Sequence, residues 1–221
     1  MMKIGLYIIL SIAYISSLHI YADNSQNQSI VYTAKNFSHL LGNVKGLNDG
    51  LLSLHLQLYE GYVKNVNQLM QDLQDLKTKG MEKSLTFGAL QRRLGWEYDG
   101  MRLHELYFEE MGGEKTLSPN SFLYKNIEKD FGSFEAWKKD FIATGLMRGI
   151  GWVILYRDTQ NHLINVWVNE HDVGHLVNGK PLLVMDVWEH AYLTQYALDR
   201  LSYIQAFLET IKWDVITGRY E

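Results

Sequence analysis

Cysteine is missing from all 221 residues. Thiolate metal sites, thiol nucleophiles, disulfides and lipid attachment through sulfur are excluded together. A metal held by this chain takes His, Asp, Glu or other oxygen donors, a set that suits iron, manganese or zinc. An excess of positive charge is also missing. The formal net charge is -4, without the basic face that a nucleic-acid binder usually carries. There is no internal repeat and no low-complexity segment. What remains is an ordinary globular composition, 47% hydrophobic and 21% charged, long enough for one large domain or two small ones sharing a core. The 14 Tyr, 8 Phe and 6 Trp suit a well-packed core, or an aromatic-lined redox metal pocket.

The N-terminus stands apart. Met1-Met2-Lys3 is a short positive start, and Ile4 to Ala22 then runs without an acidic or basic residue other than His19. A polar stretch follows from Asp23. This is the pattern of a secretory signal peptide over residues 1–22, which predicts an exported protein, periplasmic or secreted. The apolar run is also just long enough to span a bilayer, so contact with a membrane is expected only if the segment stays uncleaved. The absence of cysteine is compatible with an oxidising compartment.

Residues 23–40 read as a polar tether. Asn48-Asp49-Gly50 then opens a helical run, Leu51 to about Lys79, in which Leu51, Leu54, Leu58, Val66, Leu69 and Leu73 recur at helical spacing. A second run covers about Thr86 to Met111 and ends at Gly112-Gly113. The two form an α-hairpin, which defines an N-terminal domain over 41–117. The C-terminal domain, 118–221, begins with two shorter helical stretches in 121–147, parted at Phe131-Gly132-Ser133, with Ser133 placed to cap the second. The period then switches. Trp152–Arg157 and His162–Val168 read as a hairpin, Pro181–Val187 as a third strand, and 189–211 as helix. The fold class is α+β: a long N-terminal α-hairpin plus a C-terminal α/β domain with a small three-stranded antiparallel sheet.

Chemistry concentrates in Asp186-Val187-Trp188-Glu189-His190-Ala191-Tyr192. An Asp and a His four residues apart at a strand end can converge on one metal, or can simply satisfy each other in the core. Here the residues resemble a known family. DVWEHAY is similar to the signature of iron/manganese superoxide dismutases. His104-Glu105-Leu106-Tyr107-Phe108 matches that family's ligand histidine before aromatics, with Phe where Trp is common. Gly149-Ile150-Gly151-Trp152, Gly61 to Asn67 and Trp213-Asp214 resemble its strand opening, first-helix motif and ending. The resemblance runs from about residue 44 to 215.

It implies dismutation of superoxide to dioxygen and hydrogen peroxide at one Fe or Mn ion per subunit, with His104, Asp186 and His190 as ligands. The family's first ligand lies eight positions before a gateway tyrosine, which counted from Tyr62 is Leu54. Aligned from upstream, His55 takes that place and one residue is missing before Tyr62. Helix geometry favours His55. Seven steps bring side chains back to within about 20° of one face, whereas eight overshoot by about 80° unless a π-bulge intervenes. The other possibility is a surface His55 and a three-ligand site.

The resemblance also implies Tyr62 as the gate, Trp152 and Trp188 as pocket walls, and Arg200 as a positive charge near the mouth. Glu189 implies a homodimer, since in the family it reaches the other subunit's ligand histidine. A His–Tyr bridge common across that interface is gone from both ends, leaving Leu58-Tyr59 and Leu193. The family's usual second-sphere Gln positions hold Gly100 and Arg148. A subset uses a His fifteen positions before the ligand Asp, which is His171, and this residue is expected to donate to the solvent on the metal. His175 competes for that role, and His39 and His162 read as exposed. These departures motivate an alternative function, a non-catalytic or repurposed metal-binding protein on the same fold.

Overall fold

The computed structural model describes residues 30–113 and 115–221, so the signal segment and the first part of the tether lie outside the described residues. The first helix, α1 (Asp49–Thr78), begins where the Asn48 side chain accepts a hydrogen bond from the Leu51 N–H. Its buried face, including Leu52, His55, Tyr59, Tyr62, Val66 and Leu73, follows the 3.6-residue period. The second, α2 (Leu85–Glu109), is capped by Ser84 accepting from the Phe87 N–H. The two pack against each other as the expected hairpin.

Residues 30–40, within the stretch read as a tether, lie along this hairpin. Tyr32 exchanges two 2.8 Å hydrogen bonds with the Asn67 side chain. The Lys35 N–H donates to the Tyr59 hydroxyl at 2.9 Å, and Phe37 and Leu40 enter the core. A polar composition hid this docking, because the bonds run through the backbone and depend on helix residues far along the chain.

The C-terminal half holds α3 (Phe122–Phe131) and α4 (Phe134–Gly145), the latter capped by Ser133 as expected. Then come β1 (Trp152–Arg157), β2 (Leu163–Val168) and β3 (Lys180–Asp186), antiparallel in the order β2-β1-β3. The central strand β1 is buried along nearly its whole length. Helices α3 and α4 cover one side of the sheet, while α2 and the C-terminal helix α7 (Trp213–Tyr220) pack on β3. The register sets Trp152 opposite both Val168 and Asp186, which brings the strand-opening tryptophan to the strand end that carries the aspartate.

The continuous helix expected over 189–211 is broken. A 3₁₀ turn at Glu189–Ala191 leads to α5 (Leu193–Tyr196), and then α6 (Arg200–Glu209) starts afresh. Ala197 sits at φ 49, which ends the first segment, and the Asp199 carboxylate caps the next by accepting from the Ser202 N–H. Among the described residues no helix is long and apolar enough to cross a membrane.

Candidate metal centre

Four side chains converge between the hairpin and the sheet. His55 comes from α1, His104 from α2, and Asp186 and His190 from the end of β3 and the turn after it. One potential ligand atom from each lies within 4.8 Å of the others. His55 Nε2 is 3.2 Å from Asp186 Oδ2, His190 Nε2 is 3.1 Å from it, and His104 Nε2 is 3.6 Å away. Three of the four are fully buried; the His190 side chain is 27% exposed.

The helix carrying His55 is α-helical without interruption through Tyr62, so the seven-residue spacing needs no bulge here. His55 points into the cluster, and Leu54, the residue eight before Tyr62, is exposed.

The chemistry of this donor set fits a divalent or trivalent metal. His104 Nδ1 lies 2.6 Å from the Gly100 carbonyl, which can only accept, so Nδ1 carries the hydrogen and Nε2 presents a bare lone pair. That Nε2 is buried with no hydrogen-bond partner, an arrangement that costs free energy unless a cation takes the lone pair. Burial holds His55 below the usual histidine range and His104 well below it, outweighing the pull of Asp186. Both rings are therefore neutral near pH 7 and ready to coordinate. Burial pushes the Asp186 carboxyl up, but His190 and His55 outweigh it and hold the group well below the usual carboxylate range. Asp186 is also fixed by its neighbours. Oδ1 accepts from the Trp188 N–H at 2.8 Å, and the Tyr203 hydroxyl donates to its main-chain carbonyl at 2.6 Å. Such outer contacts orient a ligand before any metal arrives.

Aromatic rings enclose the cluster. Trp152 meets His104 edge-on at 5.0 Å, and Trp188 stacks near both His190 and His171. Tyr62 lies over the His104 ring at 5.0 Å, with its hydroxyl 2.7 Å from His171 Nε2. Burial raises the Tyr62 phenol far above its ordinary value and lowers His171 to about 4. His175 stands behind His171, taking the Tyr156 hydroxyl at Nδ1 (2.6 Å) and reaching the His171 carbonyl through Nε2 (2.6 Å). His39 and His162 are exposed.

The remaining residues singled out in the sequence lie around this core. Glu189 is exposed beside His190. The Arg200 guanidinium donates to the carbonyls of Met147 and Gly149, both at 2.8 Å, and to the Tyr192 hydroxyl, so it staples the 145–149 loop. Arg148 is exposed, and Gly100 has no room for a side chain. A Cβ there would meet the Tyr62 ring at 2.7 Å and His171 Cδ2 at 3.2 Å.

One contributor escaped the sequence reading. Trp96 packs 4.4 Å from His171 and 5.5 Å from Tyr62, beneath the Arg93 guanidinium. Tyr59 turns away from the cluster to donate to buried Glu105 at 3.1 Å. Helical phase marks both positions as inward-facing, but nothing local names their partners.

Comparison with known proteins agrees with this geometry. The family model for iron/manganese superoxide dismutases, C-terminal domain, matches residues 119–219. Superoxide dismutase [Mn] 2 of Haloferax volcanii is 38% identical over 164 residues, covering 74% of this chain and 81% of the relative. Superoxide dismutase [Fe] of Cupriavidus metallidurans is 34% identical over 179 residues, 79% of this chain and 89% of the relative. Superoxide dismutase [Fe] of Aquifex aeolicus is 31% identical over 185 residues, 81% and 86%. A match of this length, across both halves of the chain and on a fold that brings three histidines and an aspartate together, has one reading: the chain belongs to the iron/manganese superoxide dismutase family.

Proposed function

We propose that this protein is a superoxide dismutase, converting superoxide to dioxygen and hydrogen peroxide, with His55, His104, Asp186 and His190 holding one Fe or Mn ion. The observation that carries the reading is the unpartnered, buried Nε2 of His104 facing Asp186 and two further imidazoles. When bound, the metal supplies a one-electron couple between its divalent and trivalent states, which oxidises one superoxide and reduces a second.

The protein's own groups do the rest. Three neutral rings and one carboxylate leave a bound divalent ion with a single net positive charge, attractive to an anion in a site walled from bulk water. Trp152, Trp188 and Trp96 exclude water around the cluster. Reduction of superoxide to hydrogen peroxide consumes two protons, and Tyr62 places a hydroxyl against His104 at the pocket. Its raised pKa keeps Oη protonated at neutral pH, so it can hold and pass a hydrogen there.

The rest of the reading follows from the surface and the N-terminus. The protein acts as a homodimer through the region of Glu189, an exposed acid next to a partly exposed ligand histidine. It is exported, with residues 1–22 removed as a signal peptide. Elemental analysis of the purified protein, with superoxide consumption measured after loading iron and manganese separately, tests the function. Activity with at least one metal is expected. Stoichiometric metal without activity from either would favour a repurposed metal-binding protein.

A further inference from the structure

One helical turn beyond each hairpin ligand sits an aromatic ring. Tyr59 follows His55 by four residues on α1, and Phe108 follows His104 by four on α2, so each shares a helix face with its histidine. A third ring joins them from outside the hairpin. Phe37 meets Phe108 at 5.3 Å and Tyr59 at 5.7 Å, and those two meet at 6.0 Å. All three are buried. Phe108 in turn lies 5.0 Å from the His55 ring and 6.1 Å from the His104 ring. The two ligand rings therefore rest on an aromatic floor, and one part of that floor arrives on residues 30–40.

Polar groups fasten that segment two residues ahead of Phe37. The Tyr59 hydroxyl accepts from the Lys35 N–H at 2.9 Å and donates to Glu105 at 3.1 Å. The Lys35 ammonium reaches Glu109 at 2.6 Å and Glu105 at 3.2 Å. Glu105 is buried and directly follows His104. A carboxylate in that position needs partners, and Lys35, Tyr59 and Arg102 supply them. The anchor thus ties the segment to both helices at the level of the rings.

We infer that Phe37 is a positioning residue for the metal centre, and that residues 30–40 work as a strap whose docking sets how firmly His55 and His104 hold a cation. Phe37 acts through Phe108, which contacts both histidines. Without the Phe37 ring a void opens beneath Phe108, and a close-packed interior relaxes into such a void only in part. The histidines then lose the backing that fixes their rings, and contacts of this outer kind change metal affinity by about 10–100-fold. The inference rests on the reading of His55, His104, Asp186 and His190 as a metal site, and it concerns retention of the ion, not the redox step.

The test follows release of a probe metal. The full chain is loaded with cobalt(II) alone, whose visible absorption reports ligand geometry, and then mixed with a competing chelator. Phe37→Ala is expected to release cobalt about tenfold faster than the parent and to shift the absorption band. Phe37→Leu keeps most of the apolar bulk and should fall between the two, which preserves the test if the alanine variant folds poorly. Lys35→Met loosens the strap without touching the floor and should also speed release. Ile127→Ala is the control for stability alone, because it truncates a buried side chain on α3, which gives no residue to the cluster. Its cobalt band and release rate should match the parent even where its melting temperature falls as far as that of the Phe37 variants. Release and band unchanged in Phe37→Leu and Lys35→Met would overturn the inference, as would equal acceleration in Ile127→Ala. A parent that takes up no cobalt would sink the metal centre and the strap's role together. Superoxide consumption is a separate measurement, and an inert chain that still loses cobalt faster without Phe37 would leave the strap standing.

Discussion

His55 and Asp186 are 131 residues apart in the chain, yet His55 Nε2 sits 3.2 Å from Asp186 Oδ2. One belongs to the first long helix and the other to the last strand. Removing the imidazole in His55→Ala leaves three ligands and a buried gap beside an anionic carboxylate. Metal affinity is expected to fall by on the order of 100-fold or more, at least what loss of an outer-sphere partner costs. Metal content after dialysis against a weak chelator, with circular dichroism to confirm folding, checks this. Full retention of the ion would remove His55 from the site.

Position 100 gives a test that leaves every proposed ligand in place. Gly100→Ala puts a methyl 2.7 Å from the Tyr62 ring, well inside normal contact. Overpacking of this kind costs about 1–3 kcal/mol, and here it is relieved by moving Tyr62. Activity per bound metal is expected to drop roughly tenfold, within the range that displacing a general acid allows, while metal content stays near that of the parent. Unchanged activity would mean Tyr62 is not needed where it lies.

Acid should weaken the metal-free fold before it unfolds anything else. Burial holds His55, His104 and His171 below the ordinary 6.5, with His171 near 4. The unfolded chain therefore takes up protons below pH 6.5 that the folded chain refuses. Stability is full above 6.5 and falls as pH drops toward 4, with His171 alone contributing roughly 3 kcal/mol to the loss. Asp186, held low, adds a loss in the same direction only below its unfolded value of 3.8. Glu110, raised to about 8, acts in the opposite direction over this range, so thermal melts of the metal-free Glu110→Gln protein from about pH 7 to about pH 4 should show the steady decline. A flat profile would contradict the neutral burial of these rings.

At the far end of the chain, Arg219 on α7 pairs with buried Glu110 and Glu109 and donates to the carbonyls of Leu182 and Leu106, both at 2.7 Å. Burial lifts Glu110 to about 8 despite this partner. Arg219→Met leaves the carboxyl and the carbonyls of Leu182 and Leu106 without their donor, at about 1–3 kcal/mol for each group left unpaired. Up to about pH 8 Glu110 keeps its proton in parent and variant alike, so the penalty of the substitution grows only as pH rises above 8, where the parent alone ionises. Denaturant melts at two pH values measure both effects, and a loss that shrinks with rising pH would reverse the assignment.

The dimer face can be probed through Glu189, which is exposed next to His190. Glu189→Arg places a cation where an acid is proposed to meet the partner. Sedimentation velocity should show the parent as a dimer and the variant shifted toward monomer. A parent that is monomeric at every concentration would end the proposal.

What could be read from the sequence was whatever is encoded locally. Asp186 and His190 sit in one seven-residue motif, and His104 precedes its aromatics in another. His55 required only the phase of a helix. Strand and cap positions followed from alternation and from Ser133, and all four helix starts before the sheet carry a side-chain cap, at Asn48, Ser84, Ser121 and Ser133. The gaps were long-range. Nothing near residue 35 announces that its N–H will meet Tyr59, and the break at Ala197 rests on a positive φ that alanine rarely adopts. The binding of Arg200 to loop carbonyls, in place of an open charge at the mouth, depends on contacts more than 50 residues away.

The four candidate ligands are shared between the two halves of the chain, two from the hairpin and two from the strand end with its following turn. A cation seated there acts as a rivet. Neither half alone offers enough donors to keep it, so its binding energy is spent on cohesion between them, growing with the logarithm of free metal over the dissociation constant. Starvation for metal would accordingly be felt as a loosened seam between hairpin and sheet, and cells short of iron and manganese would clear the unfilled protein through proteases that find that seam open.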